Sequence, residues 1–345
     1  MKSEKAILAE QQTRKFPIDE GRFIKVRGVD QWITLRGRVR SNPVIVIVAG
    51  TGAALSPLAP FFEMWEKDFT LVQWDQPAAG ATHSENPNLI ESLSLEGLAL
   101  DGLAVVEYVR TRLEVDAVIL LGLSGGSVVG LKMIQLCPEV FSAYVGSGQF
   151  VDWAEQDSLS YTLVLDKAQR EGNDEALLEL REIGPPPYAD SNHDVIKSKY
   201  AGAMTDAESE AFPAISALWT TALSAPPATA HYLAPGLQLA NPRDLSLAAY
   251  NRIRAELMAF NAHCLGLTFQ VPVFFLQGQF DLYSVTCAVQ KYAAEITAPV
   301  SRTVIIKGGG HSPFLMREKF LQALNLHVRP TVMRQEGRTC QLLCG

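Results

Sequence analysis

Short runs that are apolar at nearly every position recur along the first third of the chain: Val44–Val48 after Pro43, Thr70–Trp74, and Ala117–Leu121 before a glycine-rich turn. A strand with one wet face alternates apolar and polar residues, whereas one covered on both faces of a parallel sheet reads as an unbroken β-branched run. These runs therefore predict interior strands of a parallel sheet. Between them lie stretches of helical period. From Leu95 apolar residues recur at Leu98, Leu103, Val106, Val109 and Leu113, with Ser94 placed to cap the first turn. A second helix is predicted over Val128–Leu136, ended by Pro138. Ahead of all these, Arg22–Arg27 and Gln31–Arg36 are strand-like around Gly28-Val29-Asp30, which predicts a hairpin. Strands and helices alternating through short links predict an α/β fold with a mostly parallel, doubly wound sheet.

The texture changes between Val151 and His263. The β-branched runs vanish and helical patterns dominate, as over Leu159–Ala168 and Asp174–Ile183, with a break at Gly184-Pro185-Pro186-Pro187 and an Ala/Pro-rich stretch over Ser224–Pro235. The α/β pattern then resumes with Val271–Leu276, a helix around Ala288–Ile296, and Thr303–Ile306. The expected organisation is a sheet core over 1–150, a helical cap inserted over 151–265, a second core segment over 266–330, and a loose tail over 331–345.

Composition narrows the class of protein. Of 345 residues 48% are hydrophobic and 19% charged, enough apolar surface for a sizeable core and a poor match to disorder. Thirty basic against 37 acidic residues leave a net charge of -7, which argues against nucleic acid or an anionic membrane as partner. No apolar run approaches the roughly 20 residues of a membrane helix. The five cysteines are scattered without a C-x-x-C spacing, Cys340 and Cys344 falling in the polar tail. Met1–Glu10 is interrupted by Lys2, Glu4, Lys5 and Glu10 and has no apolar signal core. The expected setting is the cytoplasm.

Candidate chemistry centres on Gly122-Leu123-Ser124-Gly125-Gly126, a G-x-S-x-G pattern between a predicted strand and a predicted helix. A nucleophile on so tight a turn has strained backbone angles, and side chains two residues either side would collide, so glycine belongs at both places. Ser127 does not fit, because Gly130 stands one residue too far downstream. A serine nucleophile needs a base, and the base an orienting acid. Of six histidines only His311 directly follows a predicted strand, through Gly308-Gly309-Gly310; Asp281 likewise follows the strand ending at Leu276. Both therefore stand beyond the carboxyl ends of strands, where open α/β sheets bind ligands. The order Ser124, Asp281, His311 is that of hydrolases built on this architecture. Backbone N–H groups for the developing oxyanion are expected from Gly125 and from Thr51, in the loop Ala49-Gly50-Thr51-Gly52-Ala53. No cluster of His, Asp, Glu or Cys has metal-ligand spacing, and His263-Cys264 is read as packing where the insertion returns to the core.

With those segments in place, the chain resembles the proline iminopeptidase-like branch of the α/β-hydrolase superfamily from about Arg22 to Pro330. Further matching stretches are Trp32–Gly37, Trp74-Asp75-Gln76, Ala143–Gln149 and Ile183–Tyr188. The resemblance implies an α/β-hydrolase fold with a helical cap, a serine hydrolase needing no cofactor, and a small-molecule or short-peptide substrate, with N-terminal proline release first among activities. A carboxylesterase or small-amide hydrolase is the alternative within the class, and a non-catalytic ligand-binding protein the alternative outside it. The chain departs from the family at three places. The H-G-G-P-G loop stands as Ala49-Gly50-Thr51-Gly52-Ala53, D-Q-R-G-x-G-x-S as Asp75-Gln76-Pro77-Ala78-Ala79-Gly80-Ala81-Thr82, and the tryptophan after the nucleophile is Gly125. No cap carboxylate matches those that hold a substrate amine in iminopeptidases; Glu155 and Asp157 are read as solvated charges at the cap entrance. The aromatic residues Trp153, Tyr161, Tyr188, Trp219 and Tyr232 are expected either to form the cap's own core, the preferred reading, or to line an apolar pocket.

Overall fold

Alternate residues of each interior strand feed two different cores. In the computed structural model, which describes residues 18–202, 204–224 and 232–334, Val44, Val46 and Val48 of β3 (Val44–Val48) enter one apolar cluster and Ile45 and Ile47 the other. The same division separates Val118 and Leu120 from Ile119 and Leu121 in β5 (Val118–Leu123). Each such side chain removed from water contributes about 1.5–3 kcal/mol, so a strand apolar at every position is stable only with helices on both faces. The first face is covered by the helices Leu95–Leu113, Gly125–Leu136 and Thr286–Glu295, the second by the 3₁₀ segment Ser56–Lys67 and the helix Arg317–Ala323. Ser94 caps the first of these helices as expected, accepting the Gly97 N–H at 3.0 Å.

The remaining strands are β1 (Ile18–Val26), β2 (Val29–Gly37), β4 (Thr70–Trp74), β6 (Phe141–Ser147), β7 (Val273–Gly278) and β8 (Ser301–Ile306). The eight form one sheet in the order β1-β2-β4-β3-β5-β6-β7-β8, parallel from β4 to β8, with β2 antiparallel to both its neighbours. The hairpin is tighter than the sequence predicts. Val26 pairs with Val29 across only Arg27 and Gly28, both at positive φ (47° and 90°), the geometry whose twist matches that of paired strands. The sequence pattern does not predict β6 as a strand, because Ser142 and Gly146 interrupt its apolar run.

Between β6 and β7 lie the helices Trp153–Glu171, Asp174–Ile183, Ser191–Ala201, Asp206–Ser209, Phe212–Leu223 and Pro242–Met258. Part of this insertion has its own small core of Val164, Ala168, Ala176, Leu180, Ile183, Tyr188 and Ala201, with Tyr161 packed against it. Trp153 instead joins the main core, stacked on Phe150, while Trp219 and Tyr232 pack around Trp32 and Leu233.

The expected loose tail requires correction. Residues 331–334 are helical, and Val332 is buried with Val328 one turn before it against the second face of the sheet. Apolar residues at this i, i+4 spacing keep the helix docked past Pro330. The rest of the expected tail, with Cys340 and Cys344, and the stretch Met1–Glu10 lie outside the described residues. No helix among the described residues is long and apolar enough to cross a membrane.

Candidate active site

Ser124 closes β5 at φ 53°, ψ -125° and starts the helix Gly125–Leu136. Its own N–H donates to the Ser147 carbonyl at 2.8 Å, which ties the turn to β6. The two flanking glycines are there for lack of space. A Cβ on Gly122 would lie 2.8 Å from Ser127 Cα, and one on Gly126 would lie 2.1 Å from the Val48 carbonyl oxygen. Behind the turn, the Tyr144 hydroxyl donates its one proton to Gln149 Oε1 (2.7 Å) and lies 3.1 Å from the Ser127 carbonyl, while Ser127 Oγ accepts the Phe150 N–H at 3.0 Å. Gln149 N–H donates to Gln277 Oε1 (3.0 Å), and Gln156 Nε2 donates to the carbonyls of Gln149 and Ser284. This buried amide network joins the serine turn to the loop after β7, and nothing local in the sequence marks it.

The structure brings His311 and Asp281 to Ser124. Ser124 Oγ lies 2.8 Å from His311 Nε2, and His311 Nδ1 lies 3.2 Å from both carboxylate oxygens of Asp281. An acceptor at Nδ1 places the proton there and leaves Nε2 free to take one from the serine. The Asp281 side chain is fully buried, while His311 keeps 13% of its surface exposed. Burial pushes the Asp281 carboxyl up, yet the facing His311, together with donors from Ser284, outweighs it and holds the group below its ordinary value. Asp281 Oδ1 also accepts the Tyr283 and Ser284 N–H groups, each at 2.9 Å. The His311 ring is flanked by Tyr283, edge-on with centroids 4.8 Å apart, and by Phe150.

Thr51 and Gly125 also meet. Gly125 is the first residue of its helix, so its N–H has no acceptor within the helix, and a Cβ on Gly125 would lie 3.7 Å from Thr51 N. The fully buried Gln76 holds this loop by donating Nε2 to the Ala49 carbonyl at 2.8 Å. Gly52, where the resembled family has proline, sits at φ 78°, which a proline ring cannot adopt. A Cβ there would lie 2.7 Å from Ser246 Cα and 2.9 Å from the Leu245 carbonyl of the helix Pro242–Met258. Asp75, at the end of β4, is fully buried; its Oδ2 accepts Ser56 Oγ (2.8 Å) and the Ala81 N–H (3.0 Å). Desolvation outweighs these bonds and raises its carboxyl to about 6.

The insertion's carboxylates differ from the expectation at one position. Glu155 is a surface charge paired with Lys291 at 2.9 Å. Asp157 is not solvated: it forms a buried ion pair with Lys197, whose ammonium lies 5.5 Å from the Tyr283 ring centroid. The lysine comes from the helix Ser191–Ala201, 40 residues on, too far for a local pattern to reveal. Asp194 similarly accepts Arg254 Nε at 2.6 Å. His263 is part of the return to the core, bonded to Asn261 and Glu295 and edge-on to Tyr292. Sequence reading also missed Glu208, which is fully buried and accepts the N–H groups of Gly310 and Ser312 on either side of His311. Among the described residues no cluster of three or more His, Cys, Asp or Glu is arranged to hold a metal ion.

A serine on a strained turn, an imidazole at bonding distance, a buried carboxylate behind it and two neighbouring backbone N–H groups can together perform acyl transfer. Known proteins share the fold. The chain is 22% identical over 315 residues to the Bacillus subtilis protein named probable aminopeptidase YbaC, covering 89% of this chain and 95% of that one. The crystal structure of the proline iminopeptidase-related protein TTHA1809 from Thermus thermophilus superposes with a TM-score of 0.64 at 17% identity, over 91% of this chain and 99% of that one. A thermophilic esterase from Thermogutta terrifontis gives 0.54 at 16% identity, over 91% and 98%. At such identities the structures share the fold and no more. Sequence similarity to the family as a whole extends from residue 35 to residue 323, from the second strand to the last sheet-covering helix, and on that extent the chain belongs to the Alpha/beta hydrolase family.

Proposed function

We propose that the chain is a serine hydrolase that cleaves a small amide or ester through an acyl-enzyme. Ser124 Oγ attacks the substrate carbonyl carbon while its proton passes to His311 Nε2. The carbonyl oxygen becomes an oxyanion facing the N–H groups of Gly125 and Thr51, and Asp281 stabilises the imidazolium through Nδ1–H. Collapse of the tetrahedral adduct breaks the bond to the leaving group, which departs with the proton from His311. Water then attacks the acyl-serine by the same route in reverse, releasing the acid and restoring the serine. The observation that carries this reading is the 2.8 Å contact between Ser124 and His311 with Asp281 on the far nitrogen. No step requires a cofactor. In this reading residues 151–265 are the cap over the site, between core segments 1–150 and 266–330, and the scattered cysteines favour a reducing, cytoplasmic setting.

Release of N-terminal proline is the leading activity, supported by the resemblance and by the aminopeptidase name of the Bacillus subtilis relative. One observation favours a second substrate type, an ester or amide lacking a free amine. Among the insertion's carboxylates, Glu155, Asp157, Asp194 and Glu208 are engaged already, by Lys291, Lys197, Arg254 and backbone N–H groups, which leaves none of these four free to hold an amine. Intact-mass labelling with a fluorophosphonate tests the mechanism: one adduct on wild type and none on Ser124→Ala is expected. A folded wild type that takes no adduct would leave a non-catalytic ligand-binding protein as the better reading. Turnover of prolyl amides against simple esters then decides between the substrate types.

A further inference from the structure

His311 follows three consecutive glycines, Gly308 at φ 82° among them. Glycine loses more conformational freedom on ordering than any other residue, so this loop is poorly suited to fix an imidazole by itself. An anchor comes from the insertion. Glu208 Oε1 accepts the N–H of Gly310 at 2.8 Å and of Ser312 at 2.9 Å, bracketing His311 from a residue more than 100 positions away in the chain. Its Oε2 accepts the Thr205 N–H at 3.1 Å, and Thr205 Oγ1 accepts the Glu208 N–H in return, a reciprocal cap that fixes the carboxylate's direction. The fit is close on the other side as well, since a Cβ on Gly310 would lie 2.8 Å from Glu208 Oε2. A buried carboxylate is costly unless its lone pairs are met, and here the donors are backbone groups of the histidine loop and of its own cap.

We infer that Glu208 is a positioning residue: it clamps the backbone on both sides of His311, so that seating of the insertion is a condition for an activated Ser124. The inference rests on the serine mechanism proposed above. Besides Glu208 behind its backbone, the charged and titratable groups around His311 are Asp281 on Nδ1 and Tyr283 beside the ring, with the Lys197 ammonium over the Tyr283 ring.

The test compares wild type, E208Q, E208D and E208A for hydrogen exchange across residues 307–313, fluorophosphonate labelling rate at Ser124, and kcat and KM on an ester and a prolyl amide. In E208A the Gly310 and Ser312 amides should exchange faster, and labelling and kcat should both fall about 10- to 100-fold, the scale of a misplaced catalytic group. KM should move little on either substrate. E208Q keeps a carbonyl acceptor and should recover most of the loss. E208D keeps the charge but not the reach, should behave like E208A, and serves in its place if E208A does not fold. Unchanged exchange and labelling would overturn the inference. So would a rise in KM confined to the prolyl amide, which would make Glu208 a contact for the substrate amine. A wild type that is never labelled would sink the serine mechanism itself; a labelled wild type with equally reactive variants would sink only the role of Glu208.

Discussion

Two carboxyl groups are buried near the carboxyl ends of strands in one sheet, and they differ in charge behaviour. Asp281, past β7, faces His311 and accepts two backbone N–H groups and the Ser284 hydroxyl, and its carboxyl is held below the ordinary range. Asp75, past β4, meets one hydroxyl and one N–H on Oδ2, while its buried Oδ1 has no partner among the described residues, and its carboxyl rises to about 6. Burial is nearly equal, 3% and 0% exposed, so desolvation cannot account for the difference. Donors and the facing imidazole do. The segment around Asp75 also lacks the arginine of the resembled family, with Pro77 in its place. Asp281 is favoured as an anion where the candidate chemistry needs one, whereas ionisation of Asp75 is penalised by its burial.

The contrast breaks most sharply at Asp281. D281N should lower kcat by about 10⁴-fold through the wrong imidazole tautomer, measured on the best substrate with thermal unfolding run alongside. Because the folded pKa of Asp281 is depressed, its contribution to stability is present above the unfolded carboxyl value and is lost as pH falls through the folded one. D281N should therefore also flatten the acid side of the stability profile.

Asp75 has the opposite sign. Its pKa rises from 3.8 to about 6 on folding, so the folded state binds the proton more tightly and loses stability as pH climbs from about 4 to about 6. The loss is about 3 kcal/mol once both states are ionised. D75N should remove that slope in urea midpoints measured from pH 4 to 7, with kcat changed by less than about threefold. A variant that kept the wild-type slope would place its origin elsewhere.

The smallest effects separate the two sets of donors. S56A removes the one side-chain donor to Asp75 and should cost about 1 kcal/mol more at pH 7 while moving its midpoint upward. S284A leaves Asp281 its imidazole and both N–H groups and should cost less in the same titration.

The sheet was legible in sequence where burial on both faces wrote an unbroken apolar run, as in Val44–Val48, and the serine turn was legible because both its glycines stand at fixed spacing from Ser124, although the neighbour that excludes a side chain at Gly126 is the distant Val48 carbonyl. β6 was not, since Ser142 and Gly146 hide a strand flanked by others on both sides. Ser124, Asp281 and His311 could be named from strand ends and chain order. Glu208, Asp157 with Lys197, and the Gln149–Gln156–Gln277 network could not, because their partners lie up to 128 positions away and no local spacing encodes them. Pairing of that kind is determined by how the insertion docks, and docking is a property of shape.

Gly52 carries a consequence for how such a protein can be taken apart. Its positive φ and its contact with the backbone of Leu245 and Ser246 mean that the loop after β3 and the helix Pro242–Met258 were fitted to one another. They are not interchangeable modules. Grafting a proline-bearing loop from a relative would demand an impossible backbone angle and fill the space the helix occupies. A transplanted insertion would in turn leave that glycine bare, so chimeras and recombination libraries would have to inherit both segments from a single parent.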